Sequence, residues 1–222
     1  IEAGFAASSS GDFEAVQAIS REVRKPVIAS LSRCNFGDID SAWNAIKDAE
    51  NPRIHTFISS SDLQITHQLR KNPDEVLDLA VASVERAKSY CDDVELSPMD
   101  ASRTDPLYLY QLLEAVIAAG ATTVNIPDTV GYSIPSEFGS RIKDLVDSVP
   151  NIDKTVISVH CHNDFGLAAA NSIAAIQAGA RPVEGCINAF GERAGNASLE
   201  AVIMAIQTRK DLLNASTNII PA

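Results

Sequence analysis

The sequence predicts an α/β fold on a parallel sheet, a (β/α)8 barrel whose first βα unit is absent from this chain. Two observations carry that reading. Short β-branched runs alternate with helical stretches at a repeat of roughly 26 to 40 residues, as parallel strands joined by helical crossovers require. Polar residues also collect where those strands end: Ser32-Arg33, Ser59-Ser60, Glu95, Asp128-Thr129, His160 with His162, and Asn188. Barrel sites gather on that face. The alternation alone would also suit an open doubly wound sheet. Seven units are visible, and the eighth strand would precede Ile1, which looks like a start inside a strand. Residues 1–222 read as one domain without a linker.

In order, residues 1–5 form the end of a strand, and Asp12 caps a helix over 13–23. A strand at 27–31 precedes a helix at 39–49, with Asp38 as its cap. Arg53-Ile-His-Thr-Phe-Ile58 is the next strand, and Pro73-Asp74-Glu75 is an acidic first turn opening a helix over 74–90. A strand at 93–96 leads to a helix at 106–119. Gly120 stands where a helix C-terminal glycine belongs, before a strand at 122–126. Pro135 opens a helix over 135–149. The strand 155–160 and the helix 167–178, closed by Gly179, come next. A last strand at 183–187 and a helix at 199–213 complete the series.

The net charge of −11 argues against nucleic acid, whose phosphates demand basic surface. The 45% hydrophobic content with few aromatics suits a helix-rich α/β protein. Cys34, Cys91, Cys161 and Cys186 lie far apart without C-x-x-C spacing, which favours a reducing cytosol over a disulfide framework. No apolar run reaches the length of a membrane span, and no basic-then-apolar leader opens the chain.

The segment His160-Cys161-His162-Asn163-Asp164-Phe165-Gly166 carries the strongest chemical signal. Side chains alternate along a strand, so His160 and His162 share one face while Cys161 points away. Two imidazoles one pleat apart at a strand end can ligate a single divalent metal. Asn196, in Gly191-Glu192-Arg193-Ala194-Gly195-Asn196, offers an amide oxygen from a loop after the last strand. Glu95 is a carboxylate in an apolar strand, where desolvation raises its pKa toward acid/base use. A solvated strand end is the equal alternative. His55 alone reads as a core histidine, and near a polar mouth as a hydrogen-bond partner for substrate. Thr129 could donate to a substrate carboxylate, although Asn125-Ile-Pro-Asp-Thr-Val-Gly131 also reads as an ordinary βα turn.

At these residues the chain resembles the 2-isopropylmalate synthase and homocitrate synthase family. The matching stretches are His160-Cys-His-Asn-Asp-Phe-Gly-Leu-Ala-Ala-Ala-Asn171, Gly191-Glu-Arg-Ala-Gly-Asn-Ala-Ser-Leu-Glu200 and Asn125-Ile-Pro-Asp-Thr-Val-Gly-Tyr132, supported by Arg53-Ile-His-Thr-Phe-Ile58 and Val94-Glu-Leu-Ser97. The resemblance implies a metal-dependent Claisen-type condensation of acetyl-CoA with a 2-oxo acid. It implies His160, His162 and Asn196 as ligands of a divalent metal (Mn, Mg or Zn), and Glu95 and His55 as catalytic residues. Thr129 becomes a carboxylate anchor, and Leu31 faces the 2-oxo acid side chain. It also implies a homodimer for the full-length protein, with neither nucleic acid nor membrane as partner.

A fourth ligand, an Asp in an Arg-Asp-Gly-x-Gln motif on the first strand, has no counterpart here, and neither has the C-terminal regulatory domain. The chain by itself is therefore expected to be a catalytic fragment with little turnover. Three readings stay open at this point: a condensing enzyme acting on one of several 2-oxo acids, a lyase or aldolase of the same barrel type, and a fragment that closes no site. Gly191-Glu192-Arg193 stands where hydroxymethylglutaryl-CoA lyases carry a Gly-Cys-Pro loop, which disfavours the lyase.

Overall fold

The computed structural model describes residues 1–220. Its strands are β1 (Glu2–Gly4), β2 (Ile28–Arg33), β3 (Pro52–Ser59), β4 (Val94–Met99), β5 (Thr123–Asp128), β6 (Val156–Cys161) and β7 (Val183–Glu184). All pair in parallel and in chain order, β1 to β7. Between and after them lie α1 (Ser10–Glu22), α2 (Phe36–Ile46), the single turn α3 (Asp62–Gln64), α4 (Pro73–Lys88), α5 (Pro106–Ala118), α6 (Pro135–Ser148), α7 (Ala168–Ala178), α8 (Leu199–Thr208) and α9 (Lys210–Leu213).

The sheet curls far enough for its first and last strands to reach one side chain. His55 on β3 lies 2.8 Å from Glu2 on β1 and 3.9 Å from Glu184 on β7. The architecture is an α/β barrel wall of seven parallel strands, as the sequence predicted. Its two faces differ in chemistry. Ile54, Leu96, Val124, Ile126, Val159 and Cys161 are buried in the hydrophobic core, with Val76, Val84, Leu112, Leu113, Phe138 and Ile142 of the helices. The alternate residues bond on the concave side, Arg53 to Glu95, and His55, Ser97, Asn125, Glu184 and His160 in a continuous run. Gly139 on α6 lets α7 approach closely, since a Cβ there would stand 3.4 Å from Ala174.

Helix starts differ from expectation by three residues. Ser9 and Asn35 are the caps, accepting the backbone N–H of Asp12 at 3.1 Å and of Asp38 at 2.9 Å. Asp12 and Asp38 therefore sit in the first turn, where a carboxylate meets the positive end of the helix. Asn72 and Glu75 form a reciprocal capping box on α4. Gly120 and Gly179 take the expected left-handed side of φ, +114° and +122°.

Three other departures matter more. β4 runs on to Met99 through Pro98, because β5 pairs with it only at Glu95 and Leu96. A proline beyond that point breaks no bond on the β5 side. Glu95 is consequently near the start of its strand, not at its C-terminal end. β7 stops at Glu184, because Cys186 turns to pair with Ser198, and Asn188 lies in a short 3-10 turn at φ 57°. The final helix breaks at Arg209. No helix among the described residues is long and apolar enough to cross a membrane.

β1 and β7 are the edge strands among the described residues, with one backbone side unpaired. Hydrogen exchange should show the amides of β5 exchanging orders of magnitude more slowly than those of β1 and β7. Equal protection in all three would mean that both edges are covered in solution.

Candidate active site at the strand C-termini

A cavity of about 250 Å³ opens at the mouth of the curled sheet. Leu31, Phe57, Met99 and Pro127 give it an apolar wall, while His55, Ser97, Asn125, Thr129, His160, His162 and Glu184 supply polar groups. Such a mixture of apolar wall and few convergent polar atoms is the usual form of a small-molecule site.

The two imidazoles of β6 meet as alternation requires. His160 Nε2 and His162 Nε2 stand 3.1 Å apart, with Cys161 turned into the core. Two imidazole nitrogens about 2.1 Å from one cation and at right angles would stand about 3.0 Å apart, so the observed separation suits a shared ion. Behind them, His160 Nδ1 is 3.1 Å from Glu184 Oε2. A carboxylate there holds the proton on Nδ1 and leaves Nε2 with a free lone pair. Burial above all, with nearby His160 and Arg193 adding to it, pushes His162 down to about 4, which keeps it neutral. His162 Nδ1 has no hydrogen-bond partner.

Asn196 is brought to His162 by the backbone. The two residues face each other across an isolated antiparallel bridge, flanked by Asn163 N–H to Gly195 O at 2.8 Å and Ala197 N–H to Cys161 O at 3.0 Å. Residues directly opposite in such a bridge project to the same side. The amide oxygen of Asn196 is buried without a partner. An orphan oxygen on the residue bridged to His162, together with two facing imidazole nitrogens, could serve as a donor set for a divalent cation.

Glu2, His55 and Glu184 form a second cluster, their ligand-type atoms within 4.8 Å of one another. Both nitrogens of His55 are already bonded, Nδ1 to Glu2 at 2.8 Å and Nε2 to Ser97 Oγ at 2.7 Å. Burial opposes charging His55, but Glu2 and Glu95 outweigh it and raise the group to about 10. With both His55 nitrogens bonded, the three groups as they stand form an ion network, and their spacing would also allow a cation. Glu95, 3% exposed, lies below the cavity and pairs with Arg53 at 2.9 Å. Burial raises it to about 7, against the charges of His55 and Arg53 and with those of Glu184 and Glu2. Burial also favours a neutral Glu184, yet the hydrogen bond from His160 and the charge of His55 hold it below the usual carboxylate range.

The cavity thus brings together His160, His162, His55, Thr129 and Leu31, with Asn196 beside His162, and leaves Glu95 underneath. Thr129 Oγ1 accepts the N–H of Asp100 at 2.8 Å, which turns its own hydroxyl proton elsewhere. Ser97, Asn125 and Glu184 escaped the sequence reading. Glu184 offered the same signal as Glu95, a carboxylate in an apolar strand. Ser97 and Asn125 offered none beyond inward alternation.

The chain matches the HMGL-like family over residues 1–220. It is 62% identical over 219 residues to the 2-isopropylmalate synthase of Syntrophus aciditrophicus (strain SB), covering 99% of this chain and 42% of that protein. Identity to the 2-isopropylmalate synthase of Pelotomaculum thermopropionicum is 56% over 219 residues, covering 99% and 43%. The chain therefore spans less than half the length of these curated relatives. Among solved structures it is similar to the HMG-CoA lyase of Bacillus subtilis, with a TM-score of 0.74 at 20% identity over 93% of this chain and 69% of that one. The hydroxymethylglutaryl-CoA lyase of Pseudomonas aeruginosa gives a TM-score of 0.72 at 18% identity over 90% and 68%. At those identities the likeness is one of fold.

Folded His55 holds its proton up to about pH 10, whereas an unfolded histidine releases it near 6.5. The folded chain binds the extra proton between those values, so this stabilisation is complete below 6.5 and lost as pH rises toward 10. Glu95, raised from 4.5 to about 7, has the same sign over its own window. The melting temperature should therefore fall from pH 7 to 10, and H55Q should flatten that slope. A wild-type midpoint that stays level across this range would show that His55 is not held charged.

Proposed function

The chain belongs to the HMGL-like family, and we propose that it carries the catalytic site of a 2-isopropylmalate synthase. The reaction is acyl transfer from acetyl-CoA to 2-oxoisovalerate (3-methyl-2-oxobutanoate), a Claisen-type condensation that opens leucine biosynthesis. The facing Nε2 atoms of His160 and His162, 3.1 Å apart, and the orphan oxygen of Asn196, whose backbone is bridged to His162, carry the reading. The identity to named synthases supports it. A homodimer in the full-length protein and a cytoplasmic location belong to the same proposal.

His160, His162 and Asn196 would hold a divalent cation (Mn, Mg or Zn), which supplies a Lewis acid and an orienting template for a 2-oxo acid. Thr129 donates its hydroxyl to the substrate carboxylate, since Asp100 N–H already occupies the acceptor side of that oxygen. Leu31, Phe57 and Met99 pack against the branched alkyl end and favour it over a second carboxylate. Ser97 Oγ takes hydrogen bonds from His55 Nε2 at 2.7 Å and Asn125 Nδ2 at 2.9 Å. Both its lone pairs are then used, and its single proton points into the cavity as a donor.

In the net reaction the thioester methyl loses a proton and bonds to the keto carbon, the keto oxygen gains a proton, and water releases CoA as a thiol. His55 holds a proton at the cavity floor, bonded to Ser97. Glu95 acts at one remove, by setting the charge around His55.

Thiol release from acetyl-CoA tests the proposal in the protein that carries these residues. Turnover should require a divalent cation and 2-oxoisovalerate and disappear with a chelator. H162A should lower kcat/KM by at least about a hundredfold, and T129V should raise KM for the oxo acid by about tenfold, the loss of one charge-assisted bond. Residues 1–222 alone should turn over slowly, because no Arg-Asp-Gly-x-Gln motif lies among them. Cleavage of hydroxymethylglutaryl-CoA in place of condensation would favour the lyase.

A further inference from the structure

Asn196 can serve a cation only through its oxygen, yet an amide rotated by half a turn presents an –NH2 group of nearly the same shape. Something must choose between the two. The backbone fixes where the side chain starts: Asn196 N–H bonds to Ala189 O at 3.0 Å, and its neighbours bond to Cys161 and Asn163. Gly191 then lies flat against the amide, since a Cβ there would stand 2.6 Å from Cγ and from Oδ1. Neither contact tells oxygen from nitrogen. The choice falls to the half-buried thiol of Cys186, whose Sγ accepts the Asn196 Nδ2–H at 3.3 Å. Cys186 is itself anchored by its own N–H to Ala197 O at 3.1 Å and by Leu199 N–H to its carbonyl at 3.2 Å.

We propose that Cys186 is the positioning residue that selects the amide rotamer of Asn196, turning its –NH2 to sulfur and its oxygen to the imidazoles of β6. The inference rests on the proposed cation site. It adds a residue that neither the motif nor the cavity lining contains, because Cys186 touches Asn196 and not the cavity. Sulfur is a weak acceptor and its S–H a weak donor, so the preference it imposes on the amide is modest. With no acceptor at position 186, the amide is free to turn its –NH2 toward the cation, which that group cannot ligate.

Mn(II) binding to the purified protein, read by electron paramagnetic resonance, tests this without any turnover. C186V removes the acceptor at similar volume and should weaken Mn(II) binding about tenfold, as outer partners of ligands commonly do. Its melting temperature should change little. C186S restores an acceptor and should bind within about threefold of wild type, and C186A serves if valine is not accommodated. Unchanged affinity in C186V and C186A, or a loss in C186S equal to theirs, would overturn the role of Cys186 while leaving the cation site intact. Wild-type protein that binds no Mn(II), or H162A that binds it as well as wild type, would overturn the cation site and this inference together.

Discussion

The carboxylate of Glu184 is the interaction on which the rest of the concave face depends. It accepts from His160 Nδ1 at 3.1 Å and from Asn125 Nδ2 at 3.0 Å, and it stands 3.9 Å from His55. One oxygen thereby sets the tautomer of an imidazole at the mouth, while the group as a whole helps keep another imidazole charged at the floor. β7 is only two residues long, so backbone pairing at Val159 with Val183 and His160 with Glu184 holds this carboxylate in place. The shortest strand carries the side chain that links His160, Asn125 and His55.

That arrangement inverts the usual economy of a barrel, in which branched apolar residues fill the interior. Here the apolar mass lies between sheet and helices, and the interior holds Glu2, Glu95 and Glu184 against His55 and Arg53. Buried charges of this kind contribute little net stability, because desolvation offsets most of their attraction. What they give is position. Each hydrogen bond in the run His160, Glu184, Asn125, Ser97, His55 has a defined direction once the first and last protons are placed. A polar interior of this sort belongs to a site that must hold and aim protons.

The fold was legible because periodicity reports burial directly. Strands such as Val94–Met99 are buried on both faces by helices and by the opposite wall, and they read as short continuous runs. His160 and His162 were legible for the same reason, since a pleat places alternate side chains together whatever surrounds them. Glu95 was misplaced along its strand because Pro98 signals an end in one dimension, and only the pairing pattern shows that β5 has already left. Ser9 and Asn35 were passed over because an acidic residue in the first turn resembles a cap until the hydrogen bond is seen. Glu184, Ser97 and Cys186 gain their roles from neighbours 24 to 59 residues away or across a tight loop, which a local pattern does not encode.

The loops at the mouth are tied to one another by Arg193. Arg193 sits at φ 58°, a conformation that costs a non-glycine residue on the order of 1 kcal/mol. It is held there by a bidentate pair with Asp164, at 2.8 and 2.7 Å, and by a bond to the carbonyl of Thr129 at 2.8 Å. Gly131 must lack a side chain for this to close, because a Cβ would stand 2.9 Å from the carbonyl of His162. One guanidinium therefore joins the loops after β5, β6 and β7, which bear Thr129, His162 and Asn196. The strain at Arg193 is the local cost of fixing these three loops against one another.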